Sequence, residues 1–282
     1  MKVMNRMLAM VGVLSLGGTV ACGGRMPVSP DTTGAAGATQ AADAASESSN
    51  GSERALPTVF AAACDINAAL EGFRTALGQL NPNVVGELNG GRREVNWDAV
   101  PAGATNTSNF PGDFFNQNFS PRARGVVFST DGTGLSVSDN DFRFINLDYE
   151  AQFGAFSPVR TFSAIGSNTS RVDFFIAGST TPGRSTGFGV VFSDVDNAGS
   201  ASIKLLGENG NSLGVYQAPP CGGGFSFVGV KFPAAIVAAV EIKSGQGPLG
   251  PDAADVSDRD HAAARDLVIM DDFVYGEPRS IR

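Results

Sequence analysis

Ser202-Ile-Lys-Leu-Leu-Gly-Glu-Asn-Gly-Asn-Ser-Leu-Gly-Val-Tyr216 decides the fold class. Two short runs, Ser202 to Leu206 and Ser212 to Tyr216, flank Asn209-Gly210. Asn-Gly tolerates the positive φ that a tight hairpin turn demands, so this stretch predicts two antiparallel strands. Upstream, Gly187-Phe-Gly-Val-Val-Phe-Ser-Asp-Val195 reads as a central strand, and Arg171 to Ile176 as another before a turn at Pro182-Gly183. Gly125 to Thr130 and Leu135 to Ser138 flank Asp131-Gly132-Thr133-Gly134, which predicts a further hairpin. Downstream, Gly224 to Phe232, Val237 to Ile242 and Asp266 to Tyr275 complete about ten short strands. Such strands without alternating helices give an all-β antiparallel sandwich or barrel, and a jelly roll is the preferred form.

N-terminal to the strands the pattern changes. Ile66, Leu70, Phe73, Leu77 and Leu80 fall on one helical stripe, predicting a helix over Ala61–Leu80 that packs on the sheet. Asp65 stands at its first turn and Asn81-Pro82 at its end. Residues 22–57 are mostly small or polar and read as a flexible tether, with an average reach of ~30–35 Å. Residues 1–21 carry Lys2, Arg6 and the uncharged apolar run Met7 to Gly18, which read as a secretory signal. The run falls short of the ~20 residues that span a bilayer as a helix. The expected organisation is therefore signal 1–21, tether 22–57, helical segment 58–90 and β-sandwich 91–278.

The formal charge is −8, and removing Lys2 and Arg6 with the signal leaves −10. That balance excludes a nucleic-acid partner, whose phosphates demand a basic face, and disfavours attachment to anionic lipid. Thirty-six Gly and 20 Phe against 3 Tyr and 1 Trp suit strands, turns and an apolar interior. Beyond Cys22 only Cys64 and Cys221 remain, and an even pair in an exported chain points to a disulfide rather than two separate thiols.

The sequence lacks the usual catalytic sets. Its single histidine, His261, sits in a polar loop, 246–265, rich in Pro, Gly and Asp. The G-x-S-x-G spacing occurs at Gly183–Gly187 and Gly210–Gly214, but both lead into strands and neither makes the strand-to-helix turn of a nucleophile elbow; there is no P-loop, and one histidine is too few for a catalytic zinc. A glycosidase needs only two carboxylates, but no Glu pair stands out. Two acidic clusters remain. Asp194-Val-Asp196-Asn197 closes a strand; carboxylates two apart share a face and offer hard oxygens to calcium, or else simply form a turn. Asp271-Asp272 interrupts an apolar strand, where strict alternation turns one of the two inward and leaves a buried carboxylate in need of a cation or donors.

Two resemblances add to this. Thr19-Val-Ala-Cys22-Gly23 resembles a bacterial lipobox, with Thr19 where Leu is commonest. The resemblance implies cleavage before Cys22, lipidation of its sulfur and, through Gly23, delivery to the outer membrane or cell surface; a plain signal cut near Ala21 is the other reading. Asn96-Trp97-Asp98 and the closing Asp271-Asp272-Phe-Val-Tyr-Gly276 resemble secreted bacterial jelly-roll domains related to carbohydrate-binding modules. In those domains first and last strands lie together and share a structural calcium, which implies Asp98 and Asp272 as ligands and a glycan as partner. The chain departs from them in its few Tyr and Trp, the usual sugar platforms. The resulting expectation is a lipid-anchored, non-catalytic envelope module that binds glycan. A polysaccharide hydrolase or lyase on the same fold, or a protein-contact module, are the alternatives.

Overall fold

A computed structural model describes residues 56–257 and 264–280. The signal, Cys22 and nearly all of the tether lie outside the described residues, as do Asp258, Asp260 and His261 of the late loop. Among the described residues there are twelve strands. In chain order they are β1 (Thr58–Ala63), β2 (Arg92–Val95), β3 (Val126–Ser129), β4 (Gly134–Ser138), β5 (Thr161–Ile165) and β6 (Thr169–Phe174). There follow β7 (Gly187–Val195), β8 (Ser202–Leu206), β9 (Ser212–Gln217), β10 (Cys221–Lys231), β11 (Ala239–Lys243) and β12 (Ile269–Gly276). Two helices, α1 (Asn67–Leu77) and the single turn α2 (Tyr149–Gln152), interrupt them.

All strand pairings are antiparallel, and the strands make two sheets. The larger runs β1-β10-β7-β12-β5-β4, with β2 also paired to β12; the smaller runs β3-β6-β11-β8-β9. The protein is an all-β antiparallel sandwich with one N-terminal helix packed on it. Between the sheets lies an aromatic core of Trp97, Phe128, Phe162, Phe188, Phe192 and Phe273. Trp97 stacks on Phe162 at 4.1 Å between ring centres and donates its indole N–H to the Asp271 carbonyl at 3.0 Å.

The alternation of β7 explains its full burial. Val190 and Phe192 face the inter-sheet core, while Val191 faces outward into a second cluster under α1. There Ile66, Leu70, Phe73 and Leu77 meet Val191, Phe227 and Val274. A third cluster, Phe142, Tyr149, Phe153, Leu249, Leu267 and Ile269, underlies the segments before β5 and before β12.

The Asn209-Gly210 hairpin joins β8 and β9 as the sequence predicts. Three expectations need correction. The helix is shorter than Ala61–Leu80: Thr58–Ala63 instead forms an edge strand in register with β10. Thr58, Val59 and Phe60 suit a strand, and six residues of ladder at an open sheet edge outweigh the helix preference of Ala61 to Ala63. Asp65 precedes the helix and accepts the Asn67 N–H at 3.3 Å. The helix stops at Gly78, whose φ of 104° is open to glycine, and Leu80 is 56% exposed rather than part of the stripe.

Second, Gly125–Thr130 and Leu135–Ser138 are not a hairpin. β3 pairs with β6 in the small sheet and β4 with β5 in the large one, so residues 130–133 cross between sheets. The turn residues bond to the β5–β6 connection instead: Thr133 N–H donates to Ile165 O at 2.7 Å and Thr130 Oγ1 to Thr169 O at 2.7 Å. Third, the Asp271-Asp272 pair does not divide between the two faces. Met270 pairs with Phe192 and Phe273 with Val190, so two residues of β12 oppose one of β7. This bulge turns both carboxylates toward α1 and the 156–157 segment.

Cys64 and Cys221 form a disulfide with their Cα atoms 5.5 Å apart, closing a 157-residue separation. It ties the end of β1 to the start of β10. Among the described residues no helix is long and apolar enough to cross a membrane.

Candidate functional site

One end of the large sheet gathers acid from distant parts of the chain. β7 delivers Asp194, whose φ of 67° lies in the left-handed region that Asp tolerates better than branched residues. Asp196 follows on the turn, and the segments around Asp255 and Asp266 come in from before β12. One carboxylate oxygen from each of Asp194, Asp196 and Asp255 lies within 4.8 Å of the others. Asp194 is 2% exposed, Asp255 4% and Asp266 0%.

The partners of these carboxylates are mostly backbone amides. Asp194 Oδ1 accepts the Gly223 N–H at 2.6 Å. Asp255 accepts from Leu267 N–H at 2.9 Å and Ser257 N–H at 2.8 Å, one on each oxygen. Asp266 Oδ2 accepts from Asp196 and Asn197 at 3.0 and 2.7 Å, which fixes the turn that carries Asp196. Asp194 Oδ2, Asp196 Oδ2 and Asp266 Oδ1 are buried without a hydrogen-bond partner. Asp196 Oδ1 lies against the Cα of Gly222, where any Cβ would overlap it.

Burial pushes the Asp194 carboxyl up from its ordinary range, and the charges of Asp255 and Asp266 add to the shift. Asp196 is pushed up to about 7, first by burial and then by the Asp194 and Asp255 charges. Asp266 is also raised, again chiefly by burial. Desolvation is the largest cause in each case and like charge adds to it, against hydrogen bonds from Gly223 and Gln152 at Asp194 and from Ser200, Asn197 and Asp196 at Asp266; at Asp196 a side-chain hydrogen bond with Asp255 raises it further.

Asp255 also lines a cleft of about 560 Å³ between the α2 segment and residues 251–257. Its polar lining includes Asn146, Asp148, Gln152 and Asp252. Tyr149 joins the two walls: its hydroxyl donates to Gly250 O at 2.9 Å and accepts the Gly250 N–H at 3.2 Å. The third apolar cluster supports both walls from beneath. Phe144 and Leu147, exposed, sit on the same segment as Asn146 and Asp148.

The other acids that the sequence singled out are placed differently. β2 does pair with β12, Val95 opposite Phe273, so Asp98 follows the strand that neighbours the one carrying Asp272. Their oxygens are already engaged. Asp98 accepts from Val159 and Arg160 N–H at 2.7 and 3.2 Å and from Asn96 Nδ2 at 3.0 Å. Asp272 accepts from Ser157 Oγ at 2.6 Å and from Arg74 at 3.2 Å. What sets this pair apart from the Asp194 cluster is its counter-charge: the Arg74 guanidinium already neutralises Asp272. Asp271 accepts Phe156 and Ser157 N–H at 2.5 and 3.0 Å; burial, then the Asp272 charge, pushes it up to about 8.

Trp97 is wholly buried, as are Tyr149 and Tyr275, so none of them is a surface platform. Sequence reasoning named Asp194 and Asp196 but missed Asp255 and Asp266. The Asp-rich composition of residues 252–266 was visible; that it folds back against the end of β7 was not.

No family model matches the chain, and no curated protein does. Among solved structures, one similar chain is the enzymatically active domain of bacteriophage CBA120 tailspike protein 4. It is 18% identical over 62% of this chain and 21% of that chain, with a TM-score of 0.27. At that level the likeness carries no argument about fold or activity.

Proposed function

We propose that this chain is a surface-anchored envelope lipoprotein whose sandwich binds a glycan in the cleft between residues 146–152 and 251–257. The observation that carries the reading is the lining of that cleft. The exposed carboxylates of Asp148 and Asp252 present acceptors from the two walls, and between them lie the amides of Asn146 and Gln152, which bond Ala253 O and Leu267 O at 3.5 Å; this is polar chemistry that pairs with sugar hydroxyls. Its volume, about 560 Å³, suits a short stretch of oligosaccharide. Without a Trp or Tyr platform, the affinity rests on hydrogen bonds, with exposed Phe144 as an apolar neighbour. The lipobox-like Cys22 and the tether after it support an anchored domain held ~30–35 Å from the membrane.

The test is retention of the exported chain on bacterial, plant and animal polysaccharides, with assay of the same mixtures for new reducing ends and unsaturated products. Retention on one class without product supports the binding module. Product formation moves the reading to a hydrolase or lyase using the cleft carboxylates. Neither retention nor product on any polymer refutes it and favours a protein-contact role.

A further inference from the structure

We propose that Asp194, Asp196 and Asp255 bind one calcium ion, which fastens the 251–257 wall of the cleft to the end of β7. The three ligands come from two distant segments, yet one oxygen of each lies within 4.8 Å of the rest. Asp194 Oδ2, on a side chain 2% exposed, has no hydrogen-bond partner, and neither does Asp196 Oδ2. A buried carboxylate oxygen without donor or cation is strongly unfavourable.

Elsewhere this fold answers the same problem with arginine. Buried Glu277 pairs with buried Arg93 at 2.6 Å, and Asp272 with Arg74 at 3.2 Å. Among the described residues no ion pair reaches Asp194, Asp196, Asp255 or Asp266. A bound cation is the counter-charge that fits there. The donors are all carboxylate oxygens, which select a hard ion and not zinc. Calcium accepts irregular sets of oxygen ligands, whereas magnesium demands a near-ideal octahedron.

The surrounding structure holds the ligands in place. Gly223 N–H orients Asp194, the amides of Ser257 and Leu267 orient Asp255, and Asp266 fixes the Asp196 turn as a supporting carboxylate. Gly222 leaves room for Asp196 Oδ1. The disulfide at Cys221 anchors the backbone beside both glycines.

The inference stands apart from the glycan reading, and one set of experiments separates them. The exported chain, stripped with chelator and dialysed, is titrated calorimetrically with calcium chloride alone and with magnesium chloride alone, and melted under each condition. The expected result is one calcium per chain, weaker magnesium binding, and a folding equilibrium constant raised about 100-fold at a hundred times Kd. Asp196→Asn should lose calcium binding at least tenfold while its chelated form melts no lower than the parent, because one repulsive charge is gone. Asp255→Asn serves as a second variant if the first fails to fold. Gly222→Ala should weaken calcium binding without removing a ligand. No heat of binding together with equal melting in calcium and chelator overturns the site, as does undiminished binding in both Asp variants. Calcium bound with no glycan retained leaves the site standing and removes the glycan reading; glycan retained with no calcium bound does the reverse.

Discussion

Replacing Asp271 by Asn should change how stability depends on pH. In the folded protein this carboxyl, wholly buried beside Asp272, is pushed up to about 8, while in the unfolded chain it titrates near its ordinary 3.8. Between those values the native state keeps a proton that the unfolded state releases. Stability from the neutral form is thus complete below about pH 4, declines as pH rises, and is lost above about pH 8. Each unit is worth ~1.4 kcal/mol, so the span from 3.8 to about 8 bounds the loss at about 6 kcal/mol; coupling to Asp272 leaves a few kcal/mol as the working figure. Asn cannot ionise, and its amide oxygen can still accept the Phe156 and Ser157 N–H groups that Asp271 accepts at 2.5 and 3.0 Å. Urea unfolding of parent and Asp271→Asn, in matched salt at pH 5, 7 and 9, reads the Asp271–Asp272 pair, because every acid outside it is shared. The variant should be near the parent at pH 5 and more stable by a few kcal/mol at pH 9. A difference that does not change with pH would refute the reasoning.

Other predictions follow from buried contacts. Glu277→Ala strands the Arg93 guanidinium, whose partner sits at 2.6 Å with both side chains 0% exposed, and should cost ~3–5 kcal/mol in urea unfolding. Phe73→Ala empties the centre of the α1 contact, where Phe73 meets Phe60 and Phe227 at ring distances of 5.5 and 5.8 Å. It should cost ~3–5 kcal/mol by the same assay. Reducing the Cys64–Cys221 bridge, or replacing both residues by Ser, should lower stability by ~2–5 kcal/mol, and neither thiol should react in unfolded protein until reductant is added.

Much of the sandwich was legible because strand alternation and turn chemistry are local. Gly187–Val195 and Ser202–Leu206 coincide with β7 and β8 residue for residue. The apolar stripe of α1 was legible through Ile66, Leu70, Phe73 and Leu77, all buried. What failed was non-local. Residues 61–63 read as the start of the helix and are instead the end of a strand, because β10 offers an edge to Thr58–Ala63. The 125–138 stretch carries the chemistry of a hairpin, but Gly132 and Thr133 spend their turn against Ile165 of another connection. The Asp271-Asp272 bulge breaks the period of two and cannot be read without the register of β7. The acid cluster was half legible for the same reason: Asp194 and Asp196 are neighbours in sequence, while Asp255 joins them only through the folded path before β12.

The central claim is that the cleft beside this cluster binds a glycan, and a surface variant tests it directly. Asp148 and Asp252 are exposed on the two walls, so replacing both by Ala should leave the fold intact. Retention of the parent and of the Asp148→Ala, Asp252→Ala chain is compared on the polysaccharide panel in calcium. The account predicts that the parent is retained on one glycan class and that the variant, melting as the parent does, is released. Equal retention of the two chains, or retention of neither, would contradict it.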